Sequence, residues 1–373
     1  MVAAPPEPLA LSLHEWEEKL KALGEPPYRA RQLFTWLHSR RAAAYDAMTD
    51  LPAALRERLA KQLPLRWPEV HVSERGDDGT VKYLFTPEDG AEFEAVCLPG
   101  GRSPSFCISV QAGCGYRCRF CATGRLGLTR NLTAGEMLFQ VYRLARAQGV
   151  ASFRILLMGM GEPLANLSAV AEALHHLRHP LGAAVSPRRI TLSTVGARGK
   201  LKELARLAPG IGLAISLHFT RDEDRRRFMP VAGRFALDRL FEEVKATAPA
   251  FAKVSLEYVL LAGVNDTPDD ACRLAHLAYA VTPPVQSRRV SPGELARRLG
   301  SRKPFHVNLI QFNPVPASEL APTPWEQVER FQSYLKAAGV MATYRRSRGA
   351  EVAAACGMLA GSRRGPARAK SNV

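Results

Sequence analysis

The sequence predicts an α/β fold: a partial barrel of six β/α units, preceded by a small helical domain and a short β meander. Three observations predict it. From residue 105 onward, short aliphatic runs alternate with amphipathic stretches of helical period. Over residues 1–70, three leucine-bearing stretches carry helix start and stop signals. Between them, residues 71–104 alternate polar and apolar positions around Asp-Gly turns, the pattern of antiparallel strands. A length of 373 residues suits such a barrel plus one small domain.

Each element has a local reason. Ser12-x-x-Glu15 is a capping box ahead of Trp16, Leu20 and Leu23, and Gly24 with Pro26-Pro27 ends that helix. A second helix carries Leu33, Phe34, Trp36 and Leu37, and a third carries Leu51, Leu55, Leu59 and Leu63 at steps of four. Meander strands are predicted over 71–73, 81–85 and 92–98, split by Asp77-Asp78-Gly79 and Asp89-Gly90. Barrel strands are predicted over 106–111, 153–158, 189–193, 212–217, 254–261 and 306–312. Helices fall between and after them, near 133–148, 166–178, 199–207, 235–247, 267–281 and 324–338. The barrel runs over 105–350, with 351–373 as a C-terminal segment. Residues 282–304 read as an insertion with a short helix, holding Arg288, Arg289, Arg297, Arg298, Arg302 and Lys303 against the single acid Glu294. The stretch from Ser362 has Arg363, Arg364, Arg368 and Lys370 with no acid, which predicts disorder.

Composition narrows the function. Hydrophobic residues at 46% and charged residues at 23% exclude a wholly disordered chain. No apolar run of about 18 residues predicts a membrane span. Met1-Val2-Ala3-Ala4-Pro5-Pro6 lacks a secretory pattern, so a cytoplasmic protein with no membrane partner is expected. The 51 basic residues exceed the 35 acidic ones by 16, with an isoelectric point near 9.9. That excess favours a polyanionic partner such as RNA, although an arginine-rich surface without a specific partner has the same charge.

The seven cysteines are Cys97, Cys107, Cys114, Cys118, Cys121, Cys272 and Cys356, an odd set that argues against a disulfide framework. Cys114, Cys118 and Cys121 form C-x3-C-x2-C. A structural zinc site wants four closed ligands, whereas an iron–sulfur cluster accepts three thiolates and leaves one iron open. Cys97 and Cys272 read as core thiols. Polar motifs follow all six predicted strands: the cysteine triplet, Gly159-Met160-Gly161-Glu162-Pro163, Ser193-Thr194-Val195-Gly196, Ser216-Leu217-His218, Gly263-Val264-Asn265-Asp266 and Asn313-Pro314. The carboxyl ends of strands are where α/β barrels place their active sites.

The cysteine triplet after the first strand, with Gly-Glu-Pro after the second, resembles the radical S-adenosylmethionine (SAM) superfamily. The wider set resembles the RlmN/Cfr family of adenosine RNA methyltransferases: Arg130-Asn131-Leu132-Thr133, Met158 to Leu164, Leu192 to Gly196, Ala214 to His218, Gly263 to Asp266 and Ala355-Cys356-Gly357. Pro27-Tyr28-Arg29-Ala30-x-Gln32 and Met48-Thr49-Asp50-Leu51-Pro52 resemble that family's helical accessory domain. The resemblance implies a partial (β/α)6 radical SAM barrel. It implies that Cys114, Cys118 and Cys121 hold one 4Fe–4S cluster, and that Gly161, Glu162, Ser193, Ser216, Leu217, His218 and Asn313 line the SAM pocket. It further implies Cys356 as methyl carrier, Cys107 as the resolving cysteine and Glu94 as proton acceptor.

The implied chemistry spends two SAM molecules per turnover. One methylates Cys356. The other is cleaved to a radical that activates the Cys356 methyl group for addition to an adenine ring carbon, because carbons 2 and 8 of adenine are too poor as nucleophiles for direct transfer. A Cys107–Cys356 disulfide then forms and is reduced. Carbon 2 of an adenosine in 23S rRNA is the expected target, with tRNA as a further candidate substrate and a flavodoxin or ferredoxin as electron donor. Two other readings stand beside it: methylation at carbon 8, as in the Cfr branch, and a non-catalytic RNA-binding protein with a structural metal. The basic insertion at 282–304 is expected to contact RNA phosphates or simply to be a solvated loop.

Overall fold

The computed structural model describes residues 7–100, 103–197, 199–280, 291–299, 303–315, 318–345 and 349–360. Three helices come first: α1 (Leu13–Ala22), α2 (Tyr28–His38) and α3 (Ala53–Gln62). The predicted capping box is formed, with the Ser12 side chain accepting from Glu15 N–H and the Glu15 carboxylate accepting from Ser12 N–H. The meander follows as β1 (Glu69–Arg75), β2 (Val81–Thr86) and β3 (Phe93–Leu98).

Next come β4 (Ser105–Cys107), β5 (Gln111–Gly113), α4 (Ala122–Leu126), β6 (Leu128–Asn131) and α5 (Ala134–Ala147). Alternation then sets in with β7 (Arg154–Leu157), α6 (Leu167–Arg178), β8 (Ile190–Thr194), α7 (Lys200–Leu207) and β9 (Gly212–Ser216). It continues through α8 (Asp222–Phe228), α9 (Leu237–Thr247), β10 (Lys253–Leu260), α10 (Pro268–Ala278), α11 (Pro292–Leu299), β11 (His306–Gln311), α12 (Trp325–Ala337) and β12 (Ala342–Arg345).

One ten-stranded sheet runs β1-β2-β3-β4-β7-β8-β9-β10-β11-β12. Its pairs are antiparallel from β1 to β4 and parallel from β4 to β12. The meander is therefore the antiparallel edge of the barrel sheet. The six expected β/α units are present, and β12 adds a further parallel strand.

The predicted strand over 106–111 is interrupted after Cys107. Backbone pairing to the next unit nevertheless continues past the break, through Ile108 N–H to Leu156 O, Gly159 N–H to Ile108 O and Val110 N–H to Met160 O. Gln111–Gly113 then leave the sheet to form a hairpin with β6. In the insertion, the short helix is α11; residues 281–290, 300–302 and 361–373 lie outside the described residues, so most of its arginines and the basic stretch after Ser362 do too.

The pleat gives the sheet two unlike faces. One face packs on the helices through Ile155, Ile190, Leu213, Leu256, Tyr258 and Val307, all 0% exposed. Burying each aliphatic side chain contributes about 1.5–3 kcal/mol. Register puts a polar row on the other face: Ser216 opposite Glu257, Glu257 opposite Asn308, and Asn308 opposite Thr343. The row is bonded across the strands. Asn308 Nδ2 donates to Glu257 Oε1 at 2.7 Å, and Thr343 Oγ1 donates to Asn308 Oδ1 at 2.7 Å.

The helical domain packs on α5 and α6. Trp67 stacks on Phe139 at 4.8 Å, and His38 Nδ1 lies 2.9 Å from Tyr142 Oη. His38 is fully buried, and burial, followed by His176 and His179, holds its pKa well below 6.5. The unfolded chain therefore protonates this ring as pH falls through about 6.5, while the folded chain does not. Stability is present above that pH and lost below it. His38→Gln is expected to melt at temperatures that fall less between pH 7 and pH 5 than those of the parent; an identical slope in differential scanning calorimetry would refute the assignment.

Candidate active site

The β5–β6 hairpin presents the cysteine loop. Gly113 has φ +78°, and a Cβ there would meet Gly127 O at 2.0 Å, so only glycine fits. Cys114 N–H donates to that same oxygen at 2.7 Å. Behind the loop, Arg119 N–H donates to Phe228 O at 2.9 Å, tying it to the end of α8. Cys118 lies in an apolar cluster with Phe219, Phe228 and Met229.

Burial pushes the Cys114 thiol up to about 12, with Cys121 and Glu162 adding to the rise. Burial also pushes Cys118 far up, with Cys121 and Cys114 adding. Three thiols of one loop thus raise one another's cost of ionisation, and a cationic centre bound by them as thiolates would offset it. The loop offers three thiols, where a structural zinc site wants four closed ligands and an iron–sulfur cluster accepts three and leaves one iron open. The residues therefore fit a 4Fe–4S cluster better than a structural zinc ion.

The β7 loop lies directly on the strand that precedes the cysteines. Gly161 has φ +101°, and a Cβ would meet Gln111 Cβ at 2.5 Å. Glu162 is buried, and its carboxylate braces the neighbouring loop. Oε1 accepts from Thr194 Oγ1 at 2.5 Å and Leu164 N–H at 3.0 Å, and Oε2 accepts from Val195 N–H at 3.0 Å. Burial raises its pKa and these donors oppose the rise.

Ser193 and Ser216 meet at 2.9 Å between their hydroxyls. Leu217 and His218 donate their N–H groups to Glu257 O, both at 3.1 Å. His218 adopts φ +57°, and burial, then Arg225, hold its imidazole down to about 3, so it is neutral. Its Nδ1 accepts from Val259 N–H at 3.2 Å. Asn265 braces this turn by donating to His218 O and Val259 O, which gives Gly263 to Asp266 a structural role.

The segment carrying Cys356 crosses the cysteine loop. Ala122 N–H donates to Gly357 O at 2.7 Å, Thr123 Oγ1 to Leu359 O at 2.6 Å, and Asn313 Nδ2 to Cys356 O at 3.1 Å. Asn313 thus holds the Cys356 backbone. Glu94, on β3, accepts Ala360 N–H on Oε2 at 2.8 Å and has Lys82 Nζ 3.7 Å from Oε1. Cys356 is exposed. Cys107 is buried at the end of β4, and its thiol is pushed up by burial and then by Cys356. Cys107 lies opposite Val96, so Glu94, two residues along, shares its face. Cys97 and Cys272 are buried. A cavity of about 650 Å³ opens outside the Gly-Glu-Pro loop, lined by Tyr116, Asn131, Asn166, Lys200 and Phe235, away from Cys356.

Sequence reasoning missed Lys82, Arg225 and Glu257. Arg225 sits in a run of seven consecutive charged residues, 221–227, which reads as solvated; its spacing of three from Phe228 is the one sign of an inward face. Lys82 and Glu257 are charges inside strands, on the polar face that only the register reveals.

A parallel α/β barrel with three thiols, a Gly-Glu-Pro loop and a neutral histidine at the strand ends is a radical SAM enzyme. The radical SAM superfamily profile matches residues 108–275, and that of the ribosomal RNA large subunit methyltransferase N-terminal domain matches 9–64. The dual-specificity RNA methyltransferase RlmN of Solidesulfovibrio magneticus is 41% identical over 94% of this chain and 95% of its own. The probable RlmN of Chloroflexus aurantiacus is 42% identical over 94% and 91%. The crystal structure of a radical SAM methyltransferase from Sphaerobacter thermophilus superposes with a TM-score of 0.84 at 39% identity, covering 95% of this chain and 99% of that one. The chain belongs to the RlmN family of radical SAM RNA methyltransferases. Its cofactors are a 4Fe–4S cluster and SAM, two molecules per turnover. No helix among the described residues is long and apolar enough to cross a membrane.

The brace at Glu162 has a measurable consequence. Glu162→Gln leaves three donors facing one carbonyl oxygen and an amide, so at least one buried N–H or O–H loses its acceptor. A loss of about 1–3 kcal/mol is expected in urea unfolding; an unchanged midpoint would show that the brace carries no load.

Proposed function

We propose that this chain methylates carbon 2 of an adenosine in 23S rRNA, with tRNA as a second substrate, using Cys356 as methyl carrier. One observation carries the reading: Cys356 lies on a segment whose backbone is held across the cysteine loop by Asn313 and α4, while Cys107 is buried on the strand that leads into that loop. A binding module needs neither thiol. The helical region over 1–70 and the net charge of +16 suit docking of an RNA substrate.

In this reading Cys114, Cys118 and Cys121 hold the cluster, and Gly161, Glu162, Ser193, Ser216, Leu217, His218 and Asn313 shape the SAM pocket. The bound cluster supplies an electron for SAM cleavage, delivered by a one-electron carrier such as a flavodoxin or ferredoxin in the reducing cytoplasm. The protein's own groups do the rest. Cys356 sulfur takes a methyl group. One hydrogen atom of that methyl leaves with the 5′-deoxyadenosyl fragment of the second SAM, the carbon bonds to the adenine, and the extra electron of the adduct would return to the bound cluster. His218, neutral and held by Val259 N–H, adds no positive charge to the pocket. Asn313 fixes the main chain of the carrier residue.

Glu94 takes the ring proton after the carbon–carbon bond forms. Its Oε2 holds Ala360 N–H, and its Oε1 is left to accept the proton. Cys107 sulfur then attacks Cys356 sulfur. The S–S bond forms as the bond from Cys356 sulfur to the transferred carbon breaks, and that carbon takes a proton to become the RNA methyl group. Burial holds Cys107 as a thiol until this stage, so it loses its proton to a base as it attacks.

The test uses anaerobically reconstituted protein, SAM, dithionite and total RNA from a host lacking its own enzyme. Digested RNA is expected to contain 2-methyladenosine by mass spectrometry, and Cys356→Ala to contain none. 8-Methyladenosine instead would move the chain to the carbon-8 branch of the family. Cys107→Ala is expected to accumulate a covalent protein–RNA species on denaturing gels, sensitive to nuclease; free, fully methylated product from that variant would remove Cys107 from the route.

A further inference from the structure

Arg225 is a buried cation without a buried anion to match it. It lies near the end of α8 and is 0% exposed. Its Nη1 donates to Leu217 O at 2.9 Å, its Nη2 donates to Val195 O at 3.2 Å, and its Nε has no partner. Both acceptors are neutral carbonyls just past the carboxyl ends of β9 and β8. Asp222, in the first turn of the same helix, acts on it through space but accepts Leu237 N–H on Oδ1 at 2.9 Å. Burying a guanidinium is costly unless a counter-charge offsets it.

The cysteine loop lies beside it: Val195, whose carbonyl takes Nη2, packs in the same apolar cluster as Cys118, and Arg119 N–H, next to Cys118, donates to Phe228 O at the end of α8. The wall around them is apolar, formed by Phe219, Phe228 and Met229, so their interaction is weakly screened. His218, held neutral by burial and then by Arg225, adds no positive charge there.

We propose that Arg225 is the fixed counter-charge of the cluster held at Cys114, Cys118 and Cys121, and that it makes the cluster easier to reduce. The inference rests on the reading of those three cysteines as the cluster ligands. One-electron reduction adds one negative charge to a centre already carrying three thiolates. A positive charge that cannot move or deprotonate near neutral pH stabilises the reduced state more than the oxidised one, and burial and net charge are among the levers that set such potentials. Arg225 is a positioning and tuning residue; it acts through Cys118 and touches no substrate.

The other account of the same geometry is mechanical, with the guanidinium as a strut between two loops. Two substitutions separate them. Arg225→Met removes charge and hydrogen bonds together, while Arg225→Lys keeps the charge. Each protein is reconstituted anaerobically, its iron and sulfide are counted, and its cluster is titrated with dithionite under electron paramagnetic resonance.

Arg225→Met is expected to disfavour reduction at least tenfold, about 59 mV more negative for a one-electron couple. Arg225→Lys is expected to stay near the parent. Loss of cluster assembly in Arg225→Met alone also supports the inference. A parent-like potential in Arg225→Met, or an equal shift or equal loss of cluster in both variants, overturns it. A parent protein that takes up no iron and sulfide strikes the ligand reading itself.

Discussion

The alternation of a buried parallel sheet is the constraint on which the rest depends. Strands from β4 to β12 must give one face to the helices, and that face is apolar throughout. The opposite face is then free to be polar, provided its groups satisfy one another. They do: Ser216, Glu257, Asn308 and Thr343 lie in register, and the last three share hydrogen bonds. The loops that leave the carboxyl ends inherit this division. Gly161, Ser193, Ser216, His218 and Asn313 stand at one rim because their strands are parallel.

Few of the polar side chains at that rim are idle. Glu162 spends its carboxylate on the Thr194–Val195 turn, His218 spends Nδ1 on Val259 N–H, and Asn313 spends its amide on Cys356 O. Residues that the family resemblance points to as a ligand shell thus first hold each other. Rigid loops of this kind keep a reactive carbon away from water and from wrong partners.

Much of this was legible in the sequence, for identifiable reasons. The helical start, the meander and the six barrel strands have long periodic patterns or strong caps, and their bounds move by only a few residues. The cysteine triplet and Gly-Glu-Pro were legible because their spacing is chemical. β12 was not, since four residues carry too little pattern to stand out from a loop. The break at Ile108–Val110 was hidden because an irregular strand keeps its apolar residues. Arg225 was masked by its charged neighbours, and the bond from Glu94 to Ala360 joins positions too distant for any local rule.

That last bond bears on how the protein is made. The sheet, the hairpin and all three clustered cysteines are translated before the segment over 349–360 that crosses them. A nascent chain can therefore finish its barrel while the cysteine loop is still uncovered. Until it is covered, Ala122 N–H and Thr123 Oγ1 lack the acceptors that Gly357 O and Leu359 O later supply. Chain order thus leaves the cysteine loop open on one side until the segment carrying Cys356 has been made.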